Sequence, residues 1–167
     1  KNKLILIDTG IGDKQSKKFF SHYYLHGPYS LLSSLRESGF SPEDITDVFF
    51  THLHFDHGSG AFRRIPGKVE KKCFNARYHV LREHFNYALK PKRKEAGSFF
   101  TRFFSYVDKV YWLEDWQLDW IEFQTYFGHT HGMVVPRILS QEVPVYYLTD
   151  LVPMEVFLEP GIYSGYN

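Results

Sequence analysis

The chain has 167 residues, of which 43% are hydrophobic and 23% charged, and its net charge is +1. That length suits a single domain over residues 1–167 with a real core, and not comfortably two. Twenty basic against nineteen acidic residues offer no strong field to nucleic acid or an anionic membrane, and a lone cysteine, Cys73, excludes an internal disulfide framework and any multi-cysteine zinc site.

In chain order, Lys3 to Ile7 reads as a buried strand running into an Asp8-Thr9-Gly10 turn. Tyr29 to Ser38 reads as a helix, with Leu31, Leu32 and Leu35 on one face and Gly39 as its stop. Ser41-Pro42-Glu43-Asp44 has the pattern of a helix start, followed by only a turn or so before the strand Ile45 to Phe50. The whole stretch predicts a βαβ unit. Strand-like pieces follow over Cys73 to Val80, then helices over Leu81 to Leu89 and Phe99 to Val107. Further strands are predicted at Lys109 to Leu113, Ile121 to Phe127 and Val143 to Leu148. The basic run Lys90 to Lys94 reads as a solvated loop. Phe99, Phe100, Phe103, Phe104 and Tyr106 are spaced as a buried helix face, or as the wall of an apolar pocket.

The chemistry concentrates in Thr51-His52-Leu53-His54-Phe55-Asp56-His57-Gly58-Ser59-Gly60, with three histidines and one aspartate in six positions after an apolar strand. Imidazole and carboxylate are ligand types for zinc, and they also suit iron or manganese. A second cluster, Gly128-His129-Thr130-His131-Gly132, follows another predicted strand, and Asp150 ends a third. Three strand ends thus deliver metal-type ligands, which is where α/β architectures place their sites. His131 is read as a pocket-wall residue or one that supports a ligand from behind. Thr51 and Thr130 are read as loop-structuring hydroxyls. His22, His26, His79 and His84 lack ligand-like neighbours in sequence and are read as ordinary surface or core histidines.

The motif HxHxDHGxG at His52 to Gly60, GHT at Gly128 to Thr130 and the strand-end Asp150 together resemble the metallo-β-lactamase superfamily, and Ile7-Asp8-Thr9-Gly10 is similar to the strand and turn that precede its ligand loop. The resemblance implies an α/β (α+β) fold, a four-layer αββα sandwich with two divalent metal ions between the sheets, zinc foremost. It implies His52, His54 and His129 as ligands of the first ion, and Asp56, His57 and Asp150 as ligands of the second, with Asp150 bridging. It implies Asp8 as a carboxylate that orients a ligand histidine. The family completes its second site with a histidine well downstream of the bridging aspartate, whereas only 17 residues follow Asp150 here and none is histidine. It also has strands ahead of the Asp8 strand. The resemblance therefore implies a chain truncated at both ends, with the second metal site incomplete.

The expected mechanism is attack by a metal-bound hydroxide, oriented by Asp56 as the catalytic residue, on an ester-like bond of a small-molecule substrate. No serine or cysteine nucleophile is then needed. A lactone or related ester is the expected substrate. Alternatives are a thioesterase similar to glyoxalase II, or a non-hydrolytic metal-binding or redox homologue. Lactonases that cleave autoinducers carry a tyrosine just after the bridging aspartate, where this chain has Leu151-Val152-Pro153. The expected location is cytoplasmic, with neither a nucleic-acid nor a membrane partner.

Overall fold

Alternating apolar residues build the central sheet. In this computed structural model, which describes residues 3–162 apart from 74, 108 and 141, strand β1 is Ile5–Ile7 and β2 is Asp47–Phe49. Leu4, Leu6, Val48 and Phe50 point into one core, while Ile5, Ile7 and Phe49 point into another on the opposite face. This period of two is what a strand buried on both sides requires. β1 and β2 pair in parallel, Ile5 opposite Asp47 and Ile7 opposite Phe49, and the predicted βαβ unit is present. Two helices lie in its crossover, α1 (Lys17–Phe20) and α2 (Leu31–Glu37). Only α2 was legible. Ser30 and Ser33 exchange capping bonds at its start, Leu31 and Leu35 pack into the first core, and Gly39 ends it at φ +81°.

The ligand motif forms a short helix, α3 (Phe55–Gly58), and a 3-10 turn over Ser59–Ala61. A hairpin follows, β3 (Phe62–Ile65) and β4 (Lys68–Lys71), which the sequence reading missed. β5 (Arg77–Val80) and β6 (Val110–Trp112) complete a parallel sheet in the order β1-β2-β5-β6. Between them, α4 (Arg82–Leu89) buries His84 and Ala88 one turn apart. The second sheet is antiparallel: β7 (Ile121–Tyr126), β8 (Met133–Ile138) and β9 (Val145–Tyr146). Val134 and Phe123 of this sheet close the core on the Phe49 side, while α2 and α4 cover the other face. Three layers of the expected αββα sandwich are therefore seen among the described residues.

Three expectations need correction. Phe99 to Val107 is no α-helix. It begins with an isolated bridge from Phe99 to His54 and continues as a 3-10 turn over Thr101–Tyr106. Aromatic and β-branched residues are weak helix formers, so tertiary contacts decide the local path. Phe99 and Phe104 are buried in the core, Phe100 stacks on Phe55 at 5.1 Å, and Tyr106 is exposed; the Phe103 side chain lies outside what is described. Ser41 to Asp44 starts no helix either. Asp44 accepts bonds from the Ser41 N–H (2.7 Å) and hydroxyl (2.9 Å) and closes a turn. The strand expected over Val143 to Leu148 shrinks to Val145–Tyr146.

Candidate metal centre

The expected ligands gather where the two sheets meet. The Val134 N–H donates to the Thr51 carbonyl (2.9 Å), so β8 is tied to the chain just before the ligand motif. The Asp8-Thr9-Gly10 turn lies against the same motif, with the Thr9 N–H and hydroxyl both donating to the His57 carbonyl at 2.8 Å, and the Gly60 N–H donating to the Gly10 carbonyl at 2.7 Å. A Cβ on Gly60 would fall 1.8 Å from the Thr9 carbonyl oxygen, so this position requires glycine.

Within this frame, one nitrogen each from His52, His54 and His129 lies within 4.8 Å of the others, and the same holds for His52, His57 and one oxygen of Asp150. His129 Nε2 is 3.0 Å from His54 Nδ1 and 3.2 Å from Asp150 Oδ2. His57 Nε2 is 3.3 Å from Asp150 Oδ1, and His52 Nε2 is 3.9 Å from Asp150 Oδ2. Asp150 thus faces both sets. Asp56 stands at the rim, half exposed, 3.9 Å from His57 Nε2.

A hydrogen-bond relay supports this cluster from behind. Asp8, 6% exposed, accepts the Thr51 N–H (2.9 Å), the Thr51 hydroxyl (2.7 Å) and His57 Nδ1–H (3.0 Å). With its proton committed to Asp8, the Thr51 oxygen accepts from His52 Nδ1–H at 3.0 Å. That fixes the His52 tautomer and leaves Nε2 as a lone pair, buried without a hydrogen-bond partner. An unsatisfied buried lone pair aimed at two other imidazoles and a carboxylate fits a cation.

Electrostatics agree with a site for positive charge. Burial, then the neighbouring histidines, push His52 well below its ordinary range, and burial lowers His54 to about 3. Both rings are therefore neutral, as a ligand must be. Burial also opposes charge on His57, but its bonds to Asp150 and Asp8 outweigh this and raise it to about 10. Asp150 is held low, because its contacts with His57 and the other histidines outweigh its own desolvation. A cation beside Asp150 would take over the role of the His57 proton.

The other sequence candidates are placed as follows. The His131 ring turns to Glu83, with Nε2 at 2.7 Å, and its main-chain carbonyl meets His84 Nδ1 at 2.6 Å. The Thr130 hydroxyl donates to Glu95 at 2.9 Å. The exposed Lys90 to Lys94 run brings Lys94 to a cleft of about 560 Å³ that opens onto His54, Asp56, His129 and Asp150 and is walled by Tyr23, Phe55 and Pro153. His84 was read as an ordinary core histidine. It is fully buried, and it bonds main-chain atoms of both ligand loops at Leu53 and His131. No spacing rule could reveal this, because its partners are backbone atoms brought together by the fold.

No helix of the described residues is long and apolar enough to cross a membrane. Among solved structures, the chain resembles a probable metal-dependent hydrolase from Staphylococcus aureus with TM-score 0.75 and 24% identity, over 87% of this chain and 53% of that one. It also resembles AidC, a dizinc quorum-quenching lactonase, with TM-score 0.65 and 27% identity, over 91% of this chain and 54% of that one. An N-acyl homoserine lactonase of Bacillus thuringiensis is 27% identical over 104 residues, which is 51% of this chain and 42% of the relative. The chain thus spans about half the length of the relatives it matches. A family model described as the metallo-β-lactamase superfamily matches residues 1–161, and with the fold and the ligand geometry in accord, the chain belongs to that superfamily.

Proposed function

We propose that this chain carries the centre of a two-metal hydrolase acting on lactones. The observation that carries the reading is the convergence of His52, His54 and His129 beside a second set of His57 and Asp150. His52, His54 and His129 would hold one cation, and His57, Asp150 and Asp56 a second, with Asp150 shared. Zinc suits this nitrogen-rich set, and iron or manganese would also be accepted. When bound, such ions supply Lewis acidity and a water acidified enough to attack at neutral pH.

The chain's own residues do the rest. Asp8 and Thr51 hold the His52 and His57 rings in the orientation that presents Nε2. Asp56, at the rim of the cleft, would accept a hydrogen bond from the attacking water and orient it. Tyr23, Phe55 and Pro153 offer an apolar wall to a substrate beside these groups. Side-chain nucleophiles are poorly placed. Cys73 is buried and its thiol is raised to about 11 by desolvation. The Ser59 hydroxyl is buried with no histidine bonded to it as a base.

The names of the lactonase relatives favour a lactone over other ester-like bonds. The test is hydrolysis of N-hexanoyl homoserine lactone before and after chelation. Chelation and Asp150→Ala should each reduce turnover to background, and restoring zinc should recover only the unsubstituted chain. Chelator-resistant turnover would overturn the metal reading. Faster turnover of a glutathione thioester than of any lactone would assign a thioesterase instead.

A further inference from the structure

His84 sits on α4, an element that contributes no ligand, and its ring is 0% exposed. Its two nitrogens reach two different ligand loops. The Leu53 N–H, between His52 and His54 in the chain, donates to Nε2 at 2.8 Å. On the other side, Nδ1 lies 2.6 Å from the His131 carbonyl, two residues beyond His129. A backbone N–H can only donate and a carbonyl can only accept, so both contacts are satisfied by one form of the ring, neutral with its proton on Nδ1.

We propose that His84 is a positioning residue, a neutral imidazole clip that sets the separation of the His52–His54 loop from the His129 loop. The inference rests on reading those three histidines as ligands. The mechanical argument is direct. The two loops rise from different sheets, and the Val134 N–H to Thr51 carbonyl bond ties them at one point. Apart from the His54–His129 approach itself, that one main-chain bond leaves a pivot. The His84 ring supplies a second tie on the far side of His52, and two ties remove the rotation that would change the 3.0 Å approach of His54 to His129. The chain just past His131 is fitted closely against the base of His84 and its helix. Gly132 has φ +78°, and a Cβ there would lie 3.3 Å from His84 Cβ and from Leu81 Cδ2.

Cobalt(II) is the probe, titrated into the metal-free chain well below its unfolding temperature. Replacing His84 by Leu keeps bulk and removes both bonds. It should weaken the first cobalt site about 10–100-fold and alter the visible bands of the four-coordinate ion. His84→Gln, which again offers an acceptor and a donor, should recover most of that loss. A purely structural role would lower the melting temperature and leave the affinity and bands of the folded protein unchanged. If the Leu variant does not fold, His84→Asn, polar but too short to span both loops, replaces it with the same expectation. Nitrogen-15 spectra of the metal-free chain should show the His84 proton on Nδ1. The other tautomer, or a folded Leu or Asn variant binding cobalt as tightly as the unsubstituted chain, would overturn the clip while leaving the ligand reading intact. No cobalt binding by the unsubstituted chain, or binding unaffected by His54→Ala, would overturn the ligand reading itself.

Discussion

Asp8 illustrates how one carboxylate can set several geometries. Its φ of 53° is unusual for a non-glycine residue, and such backbone strain persists only where the surroundings over-determine it. Here three donors converge on its two oxygens. Asp8→Asn would turn an NH₂ group toward at least one of those donors and free the His52 and His57 rings. Metal affinity should fall about 10–100-fold, read by competition with a chromophoric chelator. An unchanged affinity would reduce Asp8 to a turn residue. Gly60 fails in another way. A Cβ would meet the Thr9 carbonyl at 1.8 Å and the Gly10 carbonyl at 2.8 Å, and backbone cannot yield as a flexible side chain does. Gly60→Ala should cost at least ~4 kcal/mol in a urea titration, or prevent folding. At this scale the sequence was most readable where side chains meet side chains, as with the approach of Asp150 to His52 and His57 and of Asp8 to Thr51 and His57. It read His84 only as an ordinary surface or core histidine, because the partners of this ring are main-chain atoms far from it in sequence.

Among the elements, the strands that carry site residues were the more legible ones. β1, β2 and β7 end at Asp8, the ligand motif and the His129 loop, and each shows the apolar pattern of a buried or half-buried strand. β8 was missed although Met133, Val134 and Val135 are fully buried, because Pro136 argues against a strand within a sheet. The structure resolves the conflict. The Pro136 carbonyl accepts from the Tyr147 N–H on the β9 side, so its missing N–H falls on that same side. There the ladder is confined to Arg137 and Ile138, and the bonds to β7 are untouched. The hairpin of β3 and β4 escaped notice because exposed Arg63 and Arg64 interrupt its alternation. The Phe99 to Tyr106 segment misled in the other direction, since its aromatic spacing suits a helix while Phe99 is drawn into a bridge with His54.

For the whole molecule, the buried histidines make stability depend on pH when metal is absent. Burial lowers His84 to about 4 and His54 to about 3, against an unfolded value of 6.5. Below that value the unfolded chain takes up protons that the folded chain refuses, so these two contribute full stability above about pH 6.5 and lose it as pH falls toward 4. His57 has the opposite sign. Burial opposes its charge, but Asp150 and Asp8 raise it to about 10, so its contribution is complete below 6.5 and lost as pH rises through 10. Urea midpoints of the chelated chain should therefore peak near neutrality and fall on both sides. A flat profile between about pH 5 and 7 would show that the histidines are not buried as described. The position of the site at strand ends was legible from chain order, whereas the layered architecture followed only from the resemblance of the motifs to a known family. The tie between the sheets was not, because it is a main-chain bond between segments far apart in sequence.

That tie, from the Val134 N–H to the Thr51 carbonyl, bears on how such a protein can change over generations. No side chain makes it, so no ordinary substitution at either position deletes it. The wall of the cleft is different. Tyr23, Lys94 and Pro153 stand on loops outside the strands, and Tyr23 and Lys94 are exposed. Their identities can drift without moving the ligand loops relative to one another. Evolvability is thus partitioned within the molecule, with the lining of the cleft free to vary around a histidine and aspartate cluster whose spacing is inherited through the backbone.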